Sequence, residues 1–445
     1  MSLAVEELAD GAADAGHHHP RRRVVVARSD ASRRRGALSG ADGATLAEAA
    51  RLARAQRLPL VLVLASSGSD VTAGVEALDG WGRAAAAVSA CSGVVPVIVV
   101  VTGPAVSGPA LLLGLADVVV MTEDAFAYLS GPKMVESFTG VPVGLHQLGG
   151  AAVHARTSGV CALEATGPDE ALALVAAVLG HLPDHADALP PLRPADDPPD
   201  RTTPELSDLV PASANASYDV RDVVHAVADH GDLLELRPLW APQLVTALAR
   251  VGGMPVGVVA NQPRAMAGTL DIAASQKAAR FVRFCDAFNL PIVTLVDTPG
   301  FLPGKDLEWR GMIRHGAELA FAYAEASVPR VCLVLRKAYG GAYIVMDSRG
   351  MGNDLCLAWP GAEIAVMGAQ GAVEILHRRD DPATRAVRQR EYEERLLTPW
   401  VAAERGFVDE VVEPAATRLA LWQALTMLAS RRELLPGRKH DAGPL

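Results

Sequence analysis

Cysteine is scarce in this chain and widely scattered. Cys91, Cys161, Cys285, Cys332 and Cys356 form no CxxC pair, so the spacing of a zinc ribbon or a redox dithiol is missing. An odd, dispersed set suits reduced thiols, and a cytoplasmic location is expected. Aromatic residues are also few, at 4% of the chain, and the formal net charge is -10. Neither a base-stacking surface nor a bulk attraction to nucleic acid or anionic membrane fits those values. Met1–Gly16 is acidic and has no apolar core, so no secretory signal is expected. Gly93–Ala116 carries no charge and is long enough to cross a bilayer. However, Pro96, Gly103, Pro104, Gly108, Pro109 and Gly114 interrupt it, and it reads as a buried strand, a tight loop and a buried helix. GxSxG, Walker and HExxH motifs are absent as well.

What remains is a folded composition, half of it hydrophobic over 445 residues, enough for two domains. Residues 1–22 read as a disordered tail. Within it, His17–His19 offer no fixed geometry, so no metal site is expected. A first domain covers 23–181. Residues 182–213 hold eight prolines, from Pro183 to Pro211, and read as a linker before a second domain at 214–445. The two domains echo each other. Leu58–Gly68 (LPLVLVLASSG) parallels Leu290–Gly300 (LPIVTLVDTPG), and Pro96–Gly108 parallels Pro329–Gly341 at almost the same separation along the chain. Two such matches indicate an internal duplication. Each is a β-branched apolar run ending in small residues, separated by alanine-rich helical patterns such as Ala44–Arg57 and Ser275–Phe288. That alternation predicts an α/β fold with buried parallel strands.

The chemistry is expected where strands end in glycine. Val331–Leu335 runs towards Gly340-Gly341-Ala342, where backbone amides can face a ligand closely. Gly341 and Ala342 could form an oxyanion hole, and Val106-Ser-Gly-Pro109 stands at the same place in the first half. Close packing alone would also explain such a turn. Two oxyanions are what a transfer between two enolisable carbonyl compounds requires. Arg33–Arg35, ahead of Gly36 and Gly40, reads as a phosphate patch or as a solvated loop. His154, His315 and His377 are each a potential base or a structural hydrogen-bonding group.

Several segments then carry a resemblance. Tyr218–Arg221, Val256–Pro263, Lys277–Arg283, Cys285–Phe288, Asp297–Gly304 (DTPGFLPG), Arg314–Ala317, Arg336–Tyr343 (RKAYGGAY) and Ala358–Gly368 (AWPGAEIAVMG) resemble the β-type carboxyltransferase subunits of biotin-dependent propionyl-CoA and acetyl-CoA carboxylases. The resemblance implies two crotonase-like (ββα superhelix) domains. It also implies a hexamer with sites between the first half of one subunit and the second half of another, and a partner carrying biotin carboxylase and a biotinylated carrier. Gly341 and Ala342 would hold the biotin ureido oxygen, with Tyr339, Gly340, Gly300 and Phe301 around it. Ser107 and Gly108 would hold the thioester oxygen of the acyl-CoA, whose CoA portion would meet Gly36, Gly40, Gly68 and Gly74. Ile344 and Tyr343 would line the acyl pocket, isoleucine at 344 resembling enzymes that take acetyl or a wider range of groups. No side-chain base is then needed, because biotin supplies it.

The first half departs from the family pattern. Its Ser-Gly-Gly-Ala-Arg stretch stands here as Ser66-Ser-Gly-Ser-Asp70, the glutamate that follows is Ala73, and the Ala-Gly-Gly-Ala turn is Val106-Ser-Gly-Pro109. The start is also shorter than in the family. The duplication pairs Pro109 with Ala342, and proline has no N–H to give. Three readings therefore stand: a working carboxyltransferase, a partner subunit of a mixed oligomer whose second half alone is active, or a decarboxylase of a malonyl-type thioester. Whether the substrate rides on CoA or on a carrier protein stays open at this point.

Overall fold

The computed structural model describes residues 1–8, 21–211, 213, 216–439 and 442–444. The chain divides into two compact units. One holds Met1–Pro191 with Leu236–Trp240 and Ala287–Asn289, and the other holds Leu192–Glu235, Ala241–Asp286 and Leu290–Leu445.

The first unit is built on β1 (Ser2–Leu8), β2 (Arg22–Arg28), β3 (Leu60–Ser66), β4 (Val97–Val106), β5 (Val118–Thr122), β6 (Phe126–Tyr128) and β7 (Leu163–Ala165). The strand order is β1-β2-β3-β4-β5-β7, with β6 beside the end of β4. From β2 onward the pairing is parallel. Leu60, Leu62, Val97, Val99 and Val101 are fully buried, each large side chain contributing roughly 1.5–3 kcal/mol of burial. Two helices cover the sheet, α1 (Gly40–Gln56) and α2 (Val75–Ser89). Ser39 starts α1 through reciprocal bonds with Asp42, its hydroxyl accepting from the Asp42 amide at 3.2 Å and its own amide donating to the Asp42 carboxylate at 3.0 Å. Gly43 lies directly on the Gly80 backbone, leaving no room for a side chain.

The start of the chain corrects the expectation of disorder through residue 22. Ser2–Leu8 pairs antiparallel with β2, from Ser2 opposite Arg28 to Leu8 opposite Arg22. The acidic segment meets an arginine-bearing edge, and the Arg28 guanidinium donates to both Glu6 oxygens, at 3.2 and 2.6 Å. Opposite charges facing across a strand pair favour that register. His17–His19 lie outside the described residues.

In the second unit the order is β15-β13-β12-β11-β10-β9-β8, with β14 beside the end of β12. These strands are β8 (Leu233–Glu235), β9 (Leu244–Val251), β10 (Met254–Asn261), β11 (Ile292–Thr298), β12 (Arg330–Tyr339), β13 (Leu355–Ala358), β14 (Glu363–Ala365) and β15 (Glu410–Val411). The duplication expected from sequence is visible in detail. Ser66 pairs with Ala105 just past a register shift after Leu64, and Thr298 pairs with Ala338 just past one after Val296. Three successive residues with positive φ recur at Arg34-Arg35-Gly36 (49°, 54°, 72°) and Met266-Ala267-Gly268 (44°, 53°, 73°).

Among its described residues the proline-rich segment forms no strand, and its one helix is Leu206–Leu209. It is nevertheless packed, with Leu182, Thr203 and Leu206 fully buried. The Thr203 amide donates to the Ala415 carbonyl at 2.8 Å, and the buried Arg418 guanidinium gathers the Asp197 and Pro198 carbonyls. Proline lowers the entropy lost when such a strap is fixed.

Candidate active site

Each half ends its long strand in the same turn. β4 passes through Ser107 (φ 59°) into helix α3 (Gly108–Gly114), and β12 passes through Gly340 (φ 57°) into the helix Gly340–Val345. Ser107 thus corresponds to Gly340, Gly108 to Gly341 and Pro109 to Ala342. This pairing sets Ser107 and Gly108 one position ahead of Gly341 and Ala342. The Ser107 amide is occupied, donating to the Tyr128 carbonyl of β6 at 2.9 Å. Ala342 is fully buried and Pro109 is buried, and proline brings no N–H to that position. Gly108 and Gly341 stand at the starts of the two helices, where backbone amides have no partner within the helix.

Beside each turn runs the loop after the preceding strand. Leu38 donates to the Gly68 carbonyl at 2.7 Å and accepts from the Asp70 amide at 2.8 Å. In a parallel ladder the residue between two such bonds turns its own N–H to the opposite edge. That residue is Ser69, and the opposite edge is the side of β4. The second half repeats the pattern, with Leu270 donating to Gly300 at 3.2 Å and accepting from Leu302 at 2.8 Å, so Phe301 points its amide towards β12. Gly68 comes within reach of Ser107, since a Cβ built on Gly68 would meet the Val106 carbonyl at 3.5 Å and the Ser107 Cβ at 3.9 Å. A Cβ on Gly341 would meet the Phe301 ring at 3.5 Å. Ser69 was missed in sequence because the direction of an amide depends on strand register, which composition does not reveal. Phe301 was singled out there, but as a neighbour rather than as a donor.

The other expected residues divide between the turns and their supports. Gly36 lies against the Ala65 carbonyl, and Gly68 lies beside the Ser107 turn. Gly40 packs against Glu76 and Gly80 of α2, which explains a glycine there without a ligand. Gly74 precedes α2 at φ 56°. Tyr343 is largely buried with its hydroxyl 3.9 Å from Cys356 Sγ, and burial raises its pKa. The Tyr339 hydroxyl donates to Glu363, and burial raises its pKa too. Ile344 is half exposed and lines an open apolar cavity of about 390 Å³ with Phe301, Met312, Ile313, Gly316 and Gly341. Of the histidines, His154 bonds Ser158 Oγ and the Ala127 carbonyl at 2.7 and 2.8 Å, and His315 bonds Glu318.

Behind the second turn lies a buried ion cluster with no counterpart in the first half. Asp297, fully buried, accepts from Arg336 Nε at 3.0 Å and from the Lys337 amide at 3.2 Å. Arg336 also donates to the Ser213 and Ala216 carbonyls at 2.7 and 2.8 Å and stacks over Tyr218, 5.2 Å from the ring centre. Burial lowers the Lys337 pKa, with Asp297 opposing that shift. The first half has Ala65, Gly103 and Pro104 at these places.

Two duplicated crotonase-like domains, each ending its long strand in the same turn, define the class of fold. The carboxyl transferase domain model matches residues 14–442, and the chain belongs to that family as a β-type carboxyltransferase subunit. It is 45% identical over 390 residues to the propionyl-CoA carboxylase beta chain of Roseobacter denitrificans, covering 87% of this chain and 76% of the relative. The alpha subunit of methylmalonyl-CoA decarboxylase from Veillonella parvula is 42% identical over 411 residues, covering 92% and 80%. In three dimensions, the transcarboxylase 12S subunit, solved as a hexamer with hydrolysed methylmalonyl-coenzyme A, superimposes with a TM-score of 0.94. It is 40% identical, with 100% of this chain and 85% of that one covered. Among the described residues, no helix is long and apolar enough to cross a membrane.

Proposed function

We propose that this chain transfers a carboxyl group between a biotinylated carrier and the α carbon of a short acyl-CoA such as propionyl-CoA. The observation that supports this reading is the repeated geometry, with the Leu38–Ser69 bridge beside the Gly108 turn and the Leu270–Phe301 bridge beside the Gly341 turn, which we read as amide pairs of Ser69 with Gly108 and Phe301 with Gly341. The second pair, beside the apolar cavity at Phe301 and Ile344, fits the polar oxygen and apolar rings of biotin. When docked there, biotin supplies the carboxyl group and the nitrogen that takes the substrate α-proton. Phe301 and Gly341 hold the ureido oxygen, and Ser69 and Gly108 hold the thioester oxygen as it gains negative charge. Because these amides are fixed before reaction, they favour the charged state over the ground state.

Each unit also exposes large apolar side chains. Leu129, Met134 and Phe138 do so in the first, and Trp309 and Ile313 in the second. Such patches mark protein contacts, which supports assembly into a hexamer and docking of a carrier partner. The Veillonella relative's name favours a second reading, since the same amides would serve removal of a carboxyl group. Ser69→Pro tests the pairing directly. It removes one amide and should lower the transfer rate roughly 100- to 1000-fold. An unchanged rate would overturn the assignment.

A further inference from the structure

The two halves differ in what covers the glycine of the turn. In the second half it is Phe301, whose ring would meet a Cβ on Gly341 at 3.5 and 3.9 Å. The matching residue in the first half is Ser69, because the Leu38–Ser69 and Leu270–Phe301 bridges are equivalent. A serine has no ring to place there, and Trp81 of α2 comes in its stead. A Cβ on Gly108 would lie 2.7, 2.8 and 3.1 Å from Cδ1, Nε1 and Cγ of the Trp81 indole. Three adjacent ring atoms at nearly equal distance put that point over the pyrrole face. The indole Nε1 is buried and has no hydrogen-bond partner among the described residues, so packing, not hydrogen bonding, holds the ring against the turn.

The turn needs such a restraint. Ser107 sits at φ 59° and ψ -125°, where its counterpart is glycine, and a side chain at positive φ persists only when its surroundings enforce it. We propose that Trp81 is a positioning residue of the first-half site. Its indole face fixes the Cα of Gly108, and with it the direction of the Gly108 amide, as Phe301 does for Gly341. This rests on the reading of Ser69 and Gly108 as the thioester-side pair.

Trp81→Leu, Trp81→Phe and Gly108→Ala in the full chain test it. The readouts are kcat and KM for propionyl-CoA, and CO2 release from the carboxylated carrier without acyl-CoA, which uses only the second half. Trp81→Leu should lower kcat roughly 10- to 100-fold, as slight misplacement of a catalytic group does, with KM moving less than about twofold. Trp81→Phe should recover most of the loss, and carrier CO2 release should stay at its wild-type rate in both Trp81 variants. An unchanged kcat in Trp81→Leu, a rise in KM alone, or a parallel fall in CO2 release would each overturn the proposal. If Gly108→Ala abolishes transfer while Trp81→Leu does not, the Trp81 role alone fails. If both transfer normally, the thioester-side pair fails with it.

Discussion

The Ser107 amide donates to the Tyr128 carbonyl at 2.9 Å, and this bond decides how the proline next to Gly108 should be judged. It closes the Ser107 amide into the sheet and leaves Gly108 as the first residue of α3. On the proposed pairing of Ser69 with Gly108, Pro109 removes an amide outside the hole, and its fixed φ suits the first turn of a helix.

Pro109→Ala should accordingly leave the transfer rate within about twofold of wild type, since the donor it restores is not at the hole. Steady-state kinetics with saturating propionyl-CoA would show this. A gain of tenfold or more would mean that the missing amide limits the first half.

The Asp297 cluster leads to a different expectation. Removing one member of a buried ion group leaves the others uncompensated, at a cost of roughly 3–5 kcal/mol. Asp297→Ala should therefore lower the stability of the second unit by that order in urea unfolding, and loosen Ser213 and Ala216, whose carbonyls Arg336 holds. Hydrogen exchange over that segment would report the loosening. Unaltered protection would show that the segment is held by other contacts.

Asp347 should give the stability a pH dependence. Its side chain is fully buried, Oδ2 has no partner among the described residues, and burial pushes its pKa up from 3.8 to about 6, with Arg330 pulling the other way. The folded state thus binds this proton more tightly than the unfolded state. Its contribution is present below about pH 4 and lost as pH rises through about 6. Asp347→Asn, which stays neutral, should gain on wild type by on the order of 2–3 kcal/mol between pH 4 and 6. Unfolding curves for the two proteins that remain parallel across that range would refute it.

Much of the fold was legible in the sequence, because buried parallel strands are written as uniform apolar runs. Leu58–Gly68 and Leu290–Gly300 displayed both the strands and the duplication. The glycines of the turns were legible too. Whether Ser107 or Gly108 offers its N–H depends on β6 reaching Ser107, and whether Ser69 does depends on a bridge to Leu38. Both are tertiary facts. β1 was hidden because its partner arginines lie beyond an intervening segment, and Trp81 because its contact with Gly108 exists only once α2 packs.

Carboxyl transfer by the purified chain, with a carboxylated carrier and propionyl-CoA but no other carboxyltransferase subunit, tests the central claim most directly. The claim is that both amide pairs work despite the altered first half, which predicts carboxylated product from this chain alone. If product forms only after an intact homologous subunit is added, the first half does not stabilise an enolate, and the claim is contradicted.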